Sequence, residues 1–173
     1  MEKREKQLTK EMRLGILLGM RLLFPVLFLQ VLFLTGCAMM EDPILDSFGE
    51  YTDSEYYITD GFQDYTIYAK YVYSSADLSG NLWLEKVRPE DFEVIQTHLD
   101  DFEGWIETIG SVEPDSKVAV NYDFDRSVID TEDYFYIDSE EHTWETGQVS
   151  LVNYDIYYFD TQTQILYFFH NNI

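Results

Sequence analysis

Residues 65–73 alternate along an extended chain. Tyr65, Ile67, Ala69, Tyr71 and Tyr73 fall on one side, and Thr66, Tyr68, Lys70 and Val72 on the other. Tyr56, Tyr57 and Ile58 come just before, and Asp60-Gly61 between them is a hairpin signal. The small, polar stretch 74–80 predicts a turn, and 81–87 a third strand with Leu82 and Leu84 facing one way. The period then changes. Phe92, Ile95, Leu99, Phe102, Ile106 and Ile109 recur every three or four positions, which predicts an amphipathic helix over about 89–109. Pro89 suits its first position, Glu90 and Asp91 suit its positive end, Val87 can staple onto Phe92, and Gly110 fits a C-terminal cap. Gly104 in its interior suggests a strand approaching closely.

Four more strands are expected after the helix. Residues 117–125 place Val118, Val120, Tyr122 and Phe124 on one face, and 134–137 make a short strand. In 148–159 the pattern slips. Val149 and Leu151 share one parity, while Val152, Tyr154, Ile156 and Tyr158 share the other, as a bulge or burial of both faces would produce. Residues 165–169 are apolar on both faces, which suits a strand that is central or covered twice. Three strands, one helix and four strands predict an α+β fold. Its form would be a mainly antiparallel sheet of about six to seven strands with the helix packed across one face.

The opening of the chain has another character. Residues 1–13 are charged, and 14–34 are largely apolar with Arg21 inside. The uninterrupted run 22–34 spans roughly 20 Å as a helix, short of a ~30 Å hydrocarbon core. Counted from Leu14 the run is long enough to cross if Arg21 snorkels, so length alone leaves an uncleaved anchor open. Leu34, Thr35, Gly36 and Cys37 close the run, and Cys37 is the only cysteine. These four residues resemble the lipobox of bacterial lipoproteins. The resemblance covers about the first 40 residues. It implies cleavage before Cys37 and a diacylglyceryl group on its thiol, and two acyl chains hold a protein stably at a membrane. The expected organisation is a signal peptide over 1–36, a lipidated cysteine and short tether over 37–54, and a single α+β domain over 55–173. Within the tether, Pro43, Ile44, Leu45 and Phe48 suit one helical turn against the domain.

Charge sharpens this division. The leader holds six of the 11 Lys and Arg but three of the 33 acids. From Cys37 onward, five cations stand against 30 acids, a net charge of −25. That excludes general nucleic-acid binding and opposes adhesion to anionic lipid. Without a second cysteine, packing alone must hold an exported domain together. All 14 tyrosines and three tryptophans follow Cys37.

Candidate chemistry is sparse. His98, His142 and His170 lack metal-helix spacing; His98 is expected at the edge of the helix and His142 in an acidic surface loop over 139–147, and no HExxH, G-x-S-x-G or glycine-rich phosphate loop occurs. Asp123, Asp125, Asp130, Glu132 and Asp133 are hard oxygen ligands at short spacing, the best place to look for calcium. Against an EF-hand loop, however, Val128 stands at the glycine position and Tyr134 at the last ligand. The helix has an acidic outer face of Glu93, Asp100, Asp101, Glu103 and Glu107 with no basic residue. Tyr57, Tyr68, Tyr136 and Tyr157 are candidates for an exposed aromatic strip. The expectation is a membrane-tethered, extracytoplasmic, non-enzymatic domain that binds a cationic protein or peptide, with no cofactor. A cell-wall glycan or peptide hydrolase with an unassigned carboxylate pair, and a structural spacer, are the alternatives.

Overall fold

The computed structural model describes residues 42–59, 64–78, 80–147 and 149–172. The leader, Leu34, Thr35, Gly36 and Cys37 lie outside these residues, as does the Asp60-Gly61 turn. From Pro43 the chain forms one compact unit. It opens with α1 (Pro43–Asp46), followed by β1 (Asp53–Ile58), β2 (Tyr65–Val72) and β3 (Glu85–Lys86). A 3-10 turn, Pro89–Asp91, leads into α2 (Phe92–Val112) and then α3 (Lys117–Asn121). The last strands are β4 (Tyr134–Thr143), β5 (Val149–Asp160) and β6 (Ile165–Asn172). The six strands make one sheet in the order β1-β2-β6-β5-β4-β3, antiparallel at every pairing. The fold is α+β, with one main helix against the sheet.

The strand parity read from the sequence sorts the side chains between two cores. Tyr57, Tyr68, Phe169, Ile156 and Ile137 stand in one cross-strand row beneath α2. The helix sends Ile95, Leu99, Phe102 and Ile106 into this face, each almost fully buried. Burial of such a side chain contributes about 1.5–3 kcal/mol. The opposite row is Tyr56, Ala69, Phe168, Tyr157 and Tyr136. Beyond it, Ile44 and Phe48 pack with Tyr73, Leu84, Tyr157, Phe159 and Leu166. The Phe48 ring lies 5.3 Å from Tyr73 and 5.2 Å from Phe159. The helical turn expected at Pro43 therefore exists, and the folded unit includes part of the stretch expected as tether.

The slip in β5 is a bulge. Glu140 pairs with Asn153 and Glu141 with Leu151, which leaves Val152 as the extra residue. β6 is central, between β2 and β5. Asp91 closes the N-terminus of the helix by accepting from the backbone N–H of Arg88 at 2.9 Å and from its Nε at 3.0 Å.

Several expectations fail. Residues 117–125 are not a strand. Val118 is fully buried from α3 while Val120 is 65% exposed, and Phe124 enters the core from an extended run beyond. Four alternating positions satisfy a helical turn plus an extended tail as well as they satisfy a strand, and here packing over β1 and β2 decides. The third strand shrinks to two residues because Asn81 Oδ1 accepts from the N–H groups of Trp83 and Leu84, turning the chain away from the ladder. Gly110 does not end the helix, which runs to Val112; a Cβ there would lie 3.5 Å from that of Ala119, where α2 meets α3. Nothing lies within 4 Å of where a Cβ on Gly104 would stand, so none of the described strands approaches it.

Candidate interaction surface

The acidic face of α2 is largely occupied from within the domain. Arg126, in the 3-10 turn Arg126–Val128, forks onto Glu103 at 3.0 and 2.8 Å. It also reaches Asp100 at 2.6 Å and Gln96 at 2.8 Å. Tyr122 donates to Glu103 at 2.8 Å and Tyr154 to Asp101 at 2.9 Å. Glu93 and Glu107 remain exposed. The cation that the sequence placed on a partner is in part the chain's own, supplied by its last basic residue.

Phenols do similar work elsewhere. Tyr68 donates to Asp123 at 2.7 Å, and Lys70 meets Asp123 and Glu55 at 2.8 Å each. Tyr158 donates to Asp133, a fully buried carboxylate that also accepts from the N–H and hydroxyl of Thr161 and from the N–H of Asp130. Burial first, and then the neighbouring carboxylate, raises the pKa of Tyr68, Tyr122, Tyr154 and Tyr158. With few cations, the fold uses neutral O–H donors to satisfy its carboxylates.

The same contacts scatter the calcium candidates. Asp123 faces Lys70, Asp125 accepts from the Ser127 N–H at 2.9 Å, and Asp130 accepts from the Glu132 N–H at 2.7 Å. Glu132 pairs with Lys86 at 3.1 Å. Among the described residues, no three His, Cys, Asp or Glu side chains are grouped to hold a metal. His98 is buried rather than at the helix edge, with Nδ1 2.9 Å from the Val94 carbonyl and its ring edge-on to Tyr154. His170 Nδ1 lies 2.6 Å from Asp155 Oδ1, and its ring stacks on Tyr65. His142 is on β4, edge-on to Trp144. The expected tyrosine strip divides: Tyr68 and Tyr57 belong to the helix-side core, Tyr157 and Tyr136 to the other.

A groove that sequence reasoning missed lies where the end of α2 meets the β1–β2 side of the sheet. A cavity of about 470 Å³ is lined by Trp105, Ile109, Val112, Tyr65 and Thr66, with Asp64 and Glu113 on its wall. A neighbouring cavity of about 380 Å³ shares Thr59 and Glu113 with it. Tyr56, Tyr57, Asp115, Ser116 and Lys117 line this second cavity. Both volumes fall in the range of ligand sites. Hydrogen bonds tie its floor together: Thr66 donates its N–H to Thr59 Oγ1 and its hydroxyl to Asn171 Oδ1, each at 2.9 Å. The wall holds three exposed acids, Asp64, Glu113 and Asp115, against one cation, Lys117. The only signal in the sequence was the acidic, Pro114-containing turn after the helix, which gives no hint of Thr59 across from it.

The chain matches no protein-family model, and no curated protein or solved structure is significantly similar to it. Among the described residues, no helix is long and apolar enough to cross a membrane.

Proposed function

We propose that the protein is a membrane-tethered extracytoplasmic lipoprotein whose domain binds a cationic protein or peptide without catalysing a reaction. The lipobox-like Leu34, Thr35, Gly36 and Cys37 support the tether. Mass spectrometry of the native N-terminus tests it. A diacylated Cys37 as first residue, lost in Cys37→Ser, is the expected result; retention of Met1 with a free thiol contradicts it.

One observation carries the binding reading: the surplus of acids persists after the internal pairs are counted. Lys70, Lys86, Arg88 and Arg126 are all engaged in ion pairs with the domain's own acids. These cations take up Glu55, Glu90, Asp91, Asp100, Glu103, Asp123 and Glu132, far fewer than the acids present, and three exposed acids line the groove. A lysine or arginine side chain entering there lays its methylenes on Trp105 and Ile109 and its charge beside Asp64 or Glu113. The double variant Asp64→Asn, Glu113→Gln tests the site on a lysine-rich peptide probe. Affinity is expected to fall about tenfold. An unchanged affinity places the binding elsewhere, and turnover of a glycan or peptide probe by the native chain refutes the non-enzymatic reading.

A further inference from the structure

We propose that an extended basic segment of the partner adds to the free edge of β1 as a seventh strand; this rests on the binding reading above and specifies its mode. Among the described strands, β1 pairs with β2 alone. The opposite edge of the sheet is the two-residue β3, a common way of blunting an edge. β1 lacks most of the usual protections, its only charges being the acids Asp53 and Glu55. It runs for six residues with no proline, no lysine and no register shift, and Tyr56 and Ile58 are 52% and 43% exposed.

The hydrogen-bond phase identifies the free groups. Thr59 donates its N–H to the Thr66 carbonyl at 3.1 Å, one step beyond the Ile58–Ile67 pair. Antiparallel alternation then turns the backbone of Tyr57, Glu55 and Asp53 toward β2, and that of Ser54, Tyr56 and Ile58 away from it. The Ser54 N–H is taken by Asp53 Oδ1 at 2.8 Å. Among the described residues nothing else takes the N–H groups of Tyr56 and Ile58 or the three outward carbonyls, which are left to meet an added strand.

Charge selects the occupant. A second copy pairing antiparallel through β1 would bring together two domains that each carry −25. A basic strand meets the opposite situation. Side chains on its α2 side lie over the smaller cavity, where Glu113 and Asp115 outnumber Lys117. Those on its other side lie beside Tyr56 and Ile58. Glu55 is already held by Lys70 at 2.8 Å and adds little. Main-chain bonds supply affinity and alternate side chains supply selectivity in this mode of recognition.

The test uses the full-length protein in neutral detergent and a capped hexapeptide of alternating lysine and valine. Each peptide amide is N-methylated in turn, which removes a donor and blocks close approach. Strand addition predicts a loss of about tenfold at every second amide and little change at the amides between. It also predicts slowed hydrogen exchange at Tyr56 and Ile58. On the protein, Tyr56→Pro removes an outward donor while sparing the β1–β2 ladder, and is expected to weaken binding where Tyr56→Ala does not. Binding that ignores N-methylation, with Tyr56 and Ile58 unprotected, overturns strand addition and leaves the cationic-partner reading intact. No binding by the parent hexapeptide overturns both.

Discussion

Asp133 offers the sharpest test of how this domain holds itself together. Its carboxylate has no exposed surface and no basic partner, yet four donors converge on it. Oδ1 accepts the Thr161 N–H at 2.9 Å and hydroxyl at 3.1 Å. Oδ2 accepts the Tyr158 hydroxyl and the Asp130 N–H, the latter at 3.2 Å. The group thus joins the start of β4, the turn before it and the β5–β6 turn. In Asp133→Ala the hydroxyls can reorient and the Asp130 N–H keeps the Tyr158 hydroxyl at 3.3 Å, but the Thr161 N–H loses its acceptor. An orphaned donor costs about 1–3 kcal/mol, the other lost contacts add to this, and relief of the buried charge returns part of it. A net loss of about 2–3 kcal/mol is expected. Asp133→Asn keeps the shape but presents an NH₂ to a set of donors, so about 1–2 kcal/mol is lost. Tyr158→Phe removes one donor of four and costs about 1 kcal/mol. Urea denaturation followed by far-UV circular dichroism measures the series, with Ala worst and Phe mildest. A midpoint for Asp133→Ala indistinguishable from wild type refutes the reasoning.

Arg126→Ala should destabilise by about 1–2 kcal/mol, mostly through the fork onto Glu103. Asp100 is largely exposed and screened, so the deficit should shrink in high salt during the same denaturation. Stability against pH should fall at both ends. Burial alone would raise the Asp123 pKa, but Lys70 and Tyr68 outweigh it. The pKa is lowered at Glu55 by Lys70, at Asp91 by Arg88 and at Asp125 by the Ser127 N–H. Their contribution is present above the unfolded carboxylate value and disappears below about pH 4. Burial works against charged Lys70, yet Asp123 and Glu55 raise its pKa. With the four raised tyrosines, it contributes fully below about pH 10 and progressively less above; a flat alkaline limb in thermal melts would contradict this. Phe48→Ala should cost about 3–5 kcal/mol by the same urea assay, because its ring packs between Tyr73 and Phe159; a neutral effect would detach the segment before β1 from the core.

The parts of this fold legible in the chain are those with long, redundant patterns. Six apolar positions at helical spacing leave no second solution for α2, and the parity change at Val152 marks the bulge to the residue. Apolar residues on both faces of 165–169 place β6 in the centre. Short patterns were ambiguous. Val118 to Phe124 alternates for four positions only, and Asn81 diverts a strand with its side chain. Burial of His98 depends on which flank of the helix the sheet covers, which periodicity does not specify. Tertiary pairings were out of reach. Arg126 lies 23 residues from Glu103, and Thr59 lies 54 from Glu113, so neither the clamp over the acidic face nor the groove has a local signature.

The measurement that bears most directly on an acidic docking domain is the association rate of a lysine-rich peptide with the full-length protein, taken from about 20 to 500 mM salt. A net charge of −25 beyond Cys37 steers a cation at low salt, so the rate should fall by roughly ten- to a hundredfold across that range while dissociation changes less. A rate independent of salt would mean that the acids of this domain do not recruit its partner.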